Sequence, residues 1–298
     1  MINLTVENTV MSNTKGHAPA CGLDIELDHH DNIVHNLTFK NLSFINNSNC
    51  GISISPSALA ANPTTPGKYN MSNHFDASFE DILIDNRGQG VMCGDDMAGI
   101  QISFVPPALS GTIDFNRLRV IGGNSPAFLA WSSSSAHGAV ETTVRNSLFE
   151  RNSNGGLYWL PHRTGEFASG WKGKPWNGAY SNSPVSVQPN WGEPSSILNM
   201  SYGNLAFHNV SILLTPTTDR LDAVTLMPFS ESSGLANIRG DLQVYTTEVC
   251  SCCHVNSFCA KGSECAAAQL PLNLTCHDAR EWPYGSYDVA KRHGFEYV

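Results

Sequence analysis

One short motif recurs along the chain, and it restricts the fold more than any other feature. An apolar anchor is followed by a polar pair and then by a second apolar alternation, usually closing on Asn or Gly. It reads VENTVMSN from Val6, FKNLSFINN from Phe39, FEDILIDN from Phe79 and FNRLRVIGGN from Phe115. VRNSLFERN from Val144, YGNLAFHN from Tyr202 and IRGDLQV from Ile238 continue the series. In several copies a Gly-apolar-x-apolar segment follows, at Gly22 to Ile25, Gly51 to Ile54, Gly90 to Cys93 and Gly156 to Trp159. The intervals are uneven, which excludes a strict repeat of the ankyrin kind. Each copy alone has a one-sided apolar face that it cannot bury. Stacked copies bury a continuous core and pair their backbones at ~4.8 Å per layer.

The composition agrees. Charged residues make up 14% of the 298-residue chain, well below the usual share of about a quarter. Asn, Ser, Thr and Gly fill the difference, which suits short strands and turns rather than long helices. Hydrophobic content of 41% is enough for a real core. The net charge of −9 comes with no basic stripe, which argues against a nucleic-acid partner. No apolar run is long enough to span a bilayer. Nucleophile elbow, phosphate loop and HExxH are all missing, which argues against esterase, kinase and zinc-protease chemistry.

The recurring motif resembles the coil of the right-handed parallel β-helix, the pectate-lyase-like superfamily. The resemblance covers residues 1–245. It implies an all-β, single-stranded right-handed parallel β-helix of about seven coils, rising ~34 Å. An insertion at about residues 162–197 would interrupt it, and a Cys-rich cap and tail, residues 246–298, would close it. The competing architecture is a β-sandwich or jelly roll, which also has many short strands but does not repeat one turn motif at coil length. Cys21 and Cys50 then occupy equivalent places in successive coils. They are either bridged or stacked as small apolar side chains, and the parallel direction of stacked side chains favours stacking. Cys93 reads as a core residue.

CGLDIELDHH, residues 21–30, carries the first candidate site. Alternation sends Leu23, Ile25 and Leu27 inward and Asp24, Glu26 and Asp28 outward. Ser53 and Ser55, then Met92 and Gly94, then Tyr158 and Leu160 are expected on the same outward face. Three like charges on one strand repel unless a cation lies near. Paired carboxylates can serve as acid and base in glycoside hydrolysis, and a carboxylate cluster can hold Ca²⁺. Asp24, Glu26 and Asp28 are the candidates for both roles; the ordinary alternative is a solvated strand face. Nearby loops would add His29, His30, Asp31, Asp95, Asp96, His137, His162 and Arg163. The insertion would add Trp171, Lys172, Lys174, Trp176 and Trp191. Trp faces suit sugar C–H groups, and Arg or Lys beside a carboxylate could neutralise a uronate for lyase chemistry. Tyr158, His162, Arg163, Trp171 and Lys172 are thus expected to bind substrate. The Asp95-Asp96 pair resembles the Asp-Asp of β-helix polygalacturonases, and Ala136-His137-Gly138 resembles their Gly-His-Gly. The Asn-Thr-Asp and Arg-Ile-Lys of that family have no counterpart here.

The chain has nine cysteines. Cys250, Cys252, Cys253, Cys259, Cys265 and Cys276 crowd the tail, and such density points to an oxidising compartment. Disulfides closing the last coil are favoured there; Zn²⁺ on Cys250, Cys252, His254 and Cys259 is the alternative. Asn-x-Ser/Thr sequons occur at Asn3, Asn36, Asn41, Asn46, Asn70, Asn199, Asn209 and Asn273. The N-terminus has neither a basic n-region nor an apolar h-region. The expectation is a secreted protein lacking its natural start, carbohydrate-active, with a polysaccharide or glycan as partner. It would be a lyase or glycoside hydrolase, with a non-catalytic glycan-binding or adhesive scaffold as the alternative.

Overall fold

Apolar residues alternate with polar ones in short runs broken by Asn and Gly, and these runs form strands. The computed structural model describes residues 3–15, 21–27, 34–47, 50–56, 74–85, 99–102, 109–121, 128–130, 139–150, 196–200, 204–213, 222–226, 237–246, 255–257 and 272–283. The strands are β1 (Thr5–Ser12), β2 (Leu23–Glu26), β3 (Leu37–Ile45), β4 (Ile52–Ser55), β5 (His74–Asp85), β6 (Ile100–Ile102), β7 (Ser110–Ile121) and β8 (Phe128–Ala130). They continue as β9 (Ala139–Glu150), β10 (Ser196–Met200), β11 (Asn204–Leu213), β12 (Asp222–Leu226), β13 (Asn237–Thr246), β14 (Val255–Ser257) and β15 (Leu272–Asp278). A 3-10 turn, Ala279–Glu281, follows β15.

Odd-numbered strands form an eight-stranded sheet in the order β1-β3-β5-β7-β9-β11-β13-β15, and even-numbered strands form a seven-stranded sheet in the order β14-β12-β10-β8-β6-β4-β2. Every pairing is parallel. The chain therefore crosses from one sheet to the other at each step and advances one strand per circuit. Residue 245 does not end this pattern, because β14 and β15 add one more strand to each sheet.

The recurring motif now has a structural meaning. Val6, Phe39, Phe79, Phe115, Val144 and Phe207 fall in one row across the eight-stranded sheet. Two residues after each comes Asn8, Asn41, Asp81, Arg117, Asn146 or Asn209, all with φ between 51° and 58°. A left-handed residue breaks the two-residue alternation, so the buried phase switches across it. In β3, Leu37 and Phe39 are buried before the corner, and Leu42 and Phe44 after it. Each of these six strands is thus two short strands meeting at an angle, and both halves turn toward the core. Asn is the usual corner residue because it tolerates this conformation better than most side chains. Its amide also bonds along the stack: Asn41 Nδ2 donates to Asn8 Oδ1 at 2.8 Å, and Asn209 Nδ2 to Asn146 Oδ1 at 2.9 Å. Asn36 donates in the same way to Asn3 at 2.9 Å, one corner earlier.

Inside, like packs on like. The Phe39 and Phe79 rings stack with centroids 4.8 Å apart, and Phe79 and Phe115 at 4.7 Å, close to the strand spacing of ~4.8 Å. Phe128, from the seven-stranded sheet, meets Phe115, Phe149 and Phe207 edge-on at 6.1, 6.5 and 6.4 Å and ties the two sheets together. Ile52, Ile54, Ile100 and Ile102 complete that side of the core.

Four details differ from the sequence expectation. The sixth anchor is Phe207, in FHNV, and not Tyr202, since register sets Phe207 opposite Val144. In the seventh copy Gly240, not Ile238, stands opposite Phe207. The third Gly-apolar-x-apolar copy is Gly99 to Ile102, not Gly90 to Cys93: Gly51 N–H donates to Gly99 O at 2.9 Å, and β4 pairs with β6. Finally, Cys21 and Cys50 form a disulfide, their α-carbons 4.6 Å apart; they are bridged rather than merely stacked. Both lie just before their strands, where the side chains are free of the strict parallel direction inside a ladder. Cys93 lies outside the described residues.

Two outcomes follow. Gly51 is tightly enclosed: an added Cβ would stand 2.7 Å from Ile84 Cγ2 and 2.8 Å from Ile84 Cδ1. Gly51→Ala should lower stability by ~1–3 kcal/mol, read from the urea midpoint; an unchanged midpoint would mean that Ile84 yields freely. Replacing both Cys21 and Cys50 with Ala should cost ~2–4 kcal/mol. In unreduced, denatured protein neither cysteine should alkylate, and a modified Cys50 would contradict the bridge.

Candidate functional site

Asp24 and Glu26 stand where alternation put them. Ile25 and Leu27 are buried, while Asp24 and Glu26 are exposed. β2 is the end strand of its sheet, and its register sets Leu23 opposite Ile52, Asp24 opposite Ser53 and Glu26 opposite Ser55. Two residues of strand rise separate the two acidic α-carbons by ~6.6 Å.

The open face expected to continue from this pair does not do so. Ser53 is 2% exposed, Ser55 8% and Gln101 2%. Gln101, not Met92, is the residue that follows Ser53 in the row. The outward side of β4 and β6 is therefore covered, and of these three strands only β2 has an open outward face. Of the other candidates, Asp28, Asp95, Asp96, Tyr158, His162, Arg163, Trp171 and Lys172 lie outside the described residues. So do His29, His30, Asp31, His137, Lys174, Trp176, Trp191 and all the tail cysteines except Cys276.

Asp24 and Glu26 alone do not fit a resident Ca²⁺. The ion takes about six to eight oxygen ligands, and no group of three acidic, His or Cys side chains converges among the described residues.

The outward face of the eight-stranded sheet carries charge that single-strand reading missed. Arg117 Nε donates to Asp81 Oδ1 at 2.5 Å, and its Nη2 donates to Asp81 Oδ2 at 2.7 Å and Glu80 Oε1 at 2.6 Å. Lys40 Nζ approaches Glu80 from the preceding strand at 3.4 Å. Further along, Arg145 pairs with Asp114 and Arg239 with Glu141. The partners lie roughly one or more circuits apart in sequence, so only register brings them together.

Arg117 occupies a corner where its neighbours have Asp or Asn, at φ 58°. Its hydrogen bonds hold both carboxyls below their ordinary range, against the opposing effect of partial desolvation. They also hold the guanidinium above its already high value, Asp81 first and Glu80 second. The carboxyls thus bind fewer protons folded than unfolded. Their stabilisation is full above the unfolded value, about pH 4, and is lost as pH falls through the lower folded values. Side-chain exposures of 37–42% limit the effect to about 1 kcal/mol. Arg117→Asn should keep the corner but remove the pairs. Between pH 5 and pH 3 its urea midpoint should therefore fall less than that of the wild type. Parallel curves would show that the cluster contributes nothing.

No family model, curated protein or solved structure matches the chain.

Proposed function

We propose that this chain is a right-handed parallel β-helix protein of the pectate-lyase-like kind, of about seven coils with a Cys-rich C-terminal cap, secreted and acting on a polysaccharide. One observation carries the reading: the strict alternation of successive strands between two parallel sheets. A parallel strand reached through a crossover is right-handed in about 98% of cases, which supports the hand. The Cys21–Cys50 bridge supports an oxidising, extracellular setting. A stack of layers in register offers a polymer a repeating surface.

Asp24 and Glu26 are the acid and base of this reading. One carboxyl protonates the glycosidic oxygen while the other activates a water on the opposite face of the sugar. Tyr158, His162, Arg163, Trp171 and Lys172 are the expected substrate contacts of this reading, and Asp95 and Asp96 its reserve acidic pair. A second reading, a glycan-binding or adhesive scaffold without turnover, draws on a separate observation. On the eight-stranded face Glu80, Asp81, Asp114 and Glu141 are all paired with arginines, which gives a polar surface whose paired carboxylates are not poised as acid or base.

Purified protein offered a panel of uronate and neutral polysaccharides separates these outcomes. New reducing ends without unsaturated product are expected, and Asp24→Asn with Glu26→Gln should remove at least about 100-fold of the rate with the fold intact. Retention of glycan without turnover selects the scaffold. Turnover unchanged in the double variant moves the chemistry away from β2.

A further inference from the structure

The geometry points to a second site: Ser110 as a nucleophile activated by His74 and Asp76, for cleaving a short acyl ester. It lies on the sheet opposite Asp24 and Glu26 and stands independently of the polysaccharide reading. His74 opens β5 and Asp76 follows two residues on, so both side chains leave the same side of the strand. Register pairs His74 with Ser110 and Asp76 with Thr112 on β7.

His74 Nδ1 is 3.2 Å from Ser110 Oγ. The other ring nitrogen, Nε2, meets Asp76 Oδ2. Asp76 is fixed in turn through its second oxygen, which accepts from Thr112 N–H at 3.1 Å and Thr112 Oγ at 3.0 Å. The His35 ring lies obliquely beside His74, centroids 5.9 Å apart, and restricts its rotation. This is nucleophile, base and orienting carboxylate in hydrogen-bonded order. With Asp76 accepting from Nε2–H, the Nδ1 lone pair is left to take the serine proton. The two nitrogens exchange the parts they play in serine proteases, while the roles of the three residues are the same.

Gly111 follows Ser110 with φ 129°, and an added Cβ would fall on the Phe75 carbonyl oxygen. Only glycine lets β7 run this close to β5 beside the serine. The His74 and Asp76 side chains are 42% and 27% exposed, so the group is accessible. Its outward neighbours Thr112 and Asp114 are polar. They suit a short acyl group on a hydroxyl-rich alcohol better than a long alkyl chain. The sequence argued against ester chemistry because no contiguous elbow motif is present; this relay is assembled across two strands and leaves none.

In the reaction Ser110 Oγ bonds to the ester carbonyl carbon as its proton passes to His74 Nδ1. The carbon–oxygen bond to the alcohol breaks, and the alcohol leaves with that proton. Water then repeats the sequence, releasing the carboxylic acid and restoring Ser110. Asp76 stays ionised throughout.

The full chain should release nitrophenol from p-nitrophenyl acetate and take up a fluorophosphonate probe on the peptide containing Ser110. Ser110→Ala should abolish the label, and His74→Gln should slow both reactions by about 10²–10⁴-fold. Ser78→Ala, on the same face, should leave both unchanged, with circular dichroism checking the fold of each variant. A probe that never reaches Ser110, or that labels it equally fast in His74→Gln, overturns the proposal. Should that variant fail to fold, wild-type labelling decides: Ser110 must react well ahead of Ser78, and equal labelling is the overturning result.

Discussion

A single left-handed residue in most strands of the eight-stranded sheet governs the rest of the molecule. An ordinary strand has one buried side, because successive side chains point to opposite faces. The corner at Asn8, Asn41, Asp81, Arg117, Asn146 and Asn209 resets that alternation. Residues on both arms then reach the same interior, and a sheet wraps around a core that it would otherwise only cover. Such a conformation is unfavourable for most side chains by about 1–2 kcal/mol, so it persists only where neighbouring layers hold it. Asn does so through its amide. Arg117, a poorer choice on backbone grounds, does so through its paired carboxylates.

Once successive circuits lie in register, packing and surface chemistry follow from the same rule. Each side chain meets its counterpart from the next circuit. Phe stacks on Phe inside, and outside an acid on one circuit finds a base on the next. The same neighbour relation places His74 against Ser110 and Asp76 against Thr112. An isolated strand has none of these contacts.

What could be read in advance was therefore what is local. The alternation in LDIEL gave the directions of Asp24, Ile25 and Glu26, and the anchors from Val6 to Val144 fell in one row. Non-local facts were harder. YGNL and FHNV lie within one segment and both fit the motif, and only pairing with Val144 selects Phe207. GVMC and GIQI compete in the same way, and β4 chooses the second. The burial of Ser53 and Ser55 had no signal in their own strand, since small polar residues suit a wet face equally well. Of the residues expected to act on substrate, Asp24 and Glu26 are the pair whose setting is described, and the relay at Ser110 needed register before its members could be associated.

The asparagine corners bear on how the sequons should be read. A corner asks for Asn, the next position for an apolar side chain turned inward, and the one after for a small polar residue. That order spells an acceptor for N-linked sugar, as in Asn41-Leu42-Ser43 and Asn209-Val210-Ser211. A glycan attaches through the same amide nitrogen that in Asn36, Asn41 and Asn209 donates one hydrogen along the stack, leaving the second. Ser43 and Ser211 are only 5% and 4% exposed. In the finished stack these tripeptides are spelled out by the corner itself, so their number along the chain follows the repeat and is not by itself a count of attached sugars.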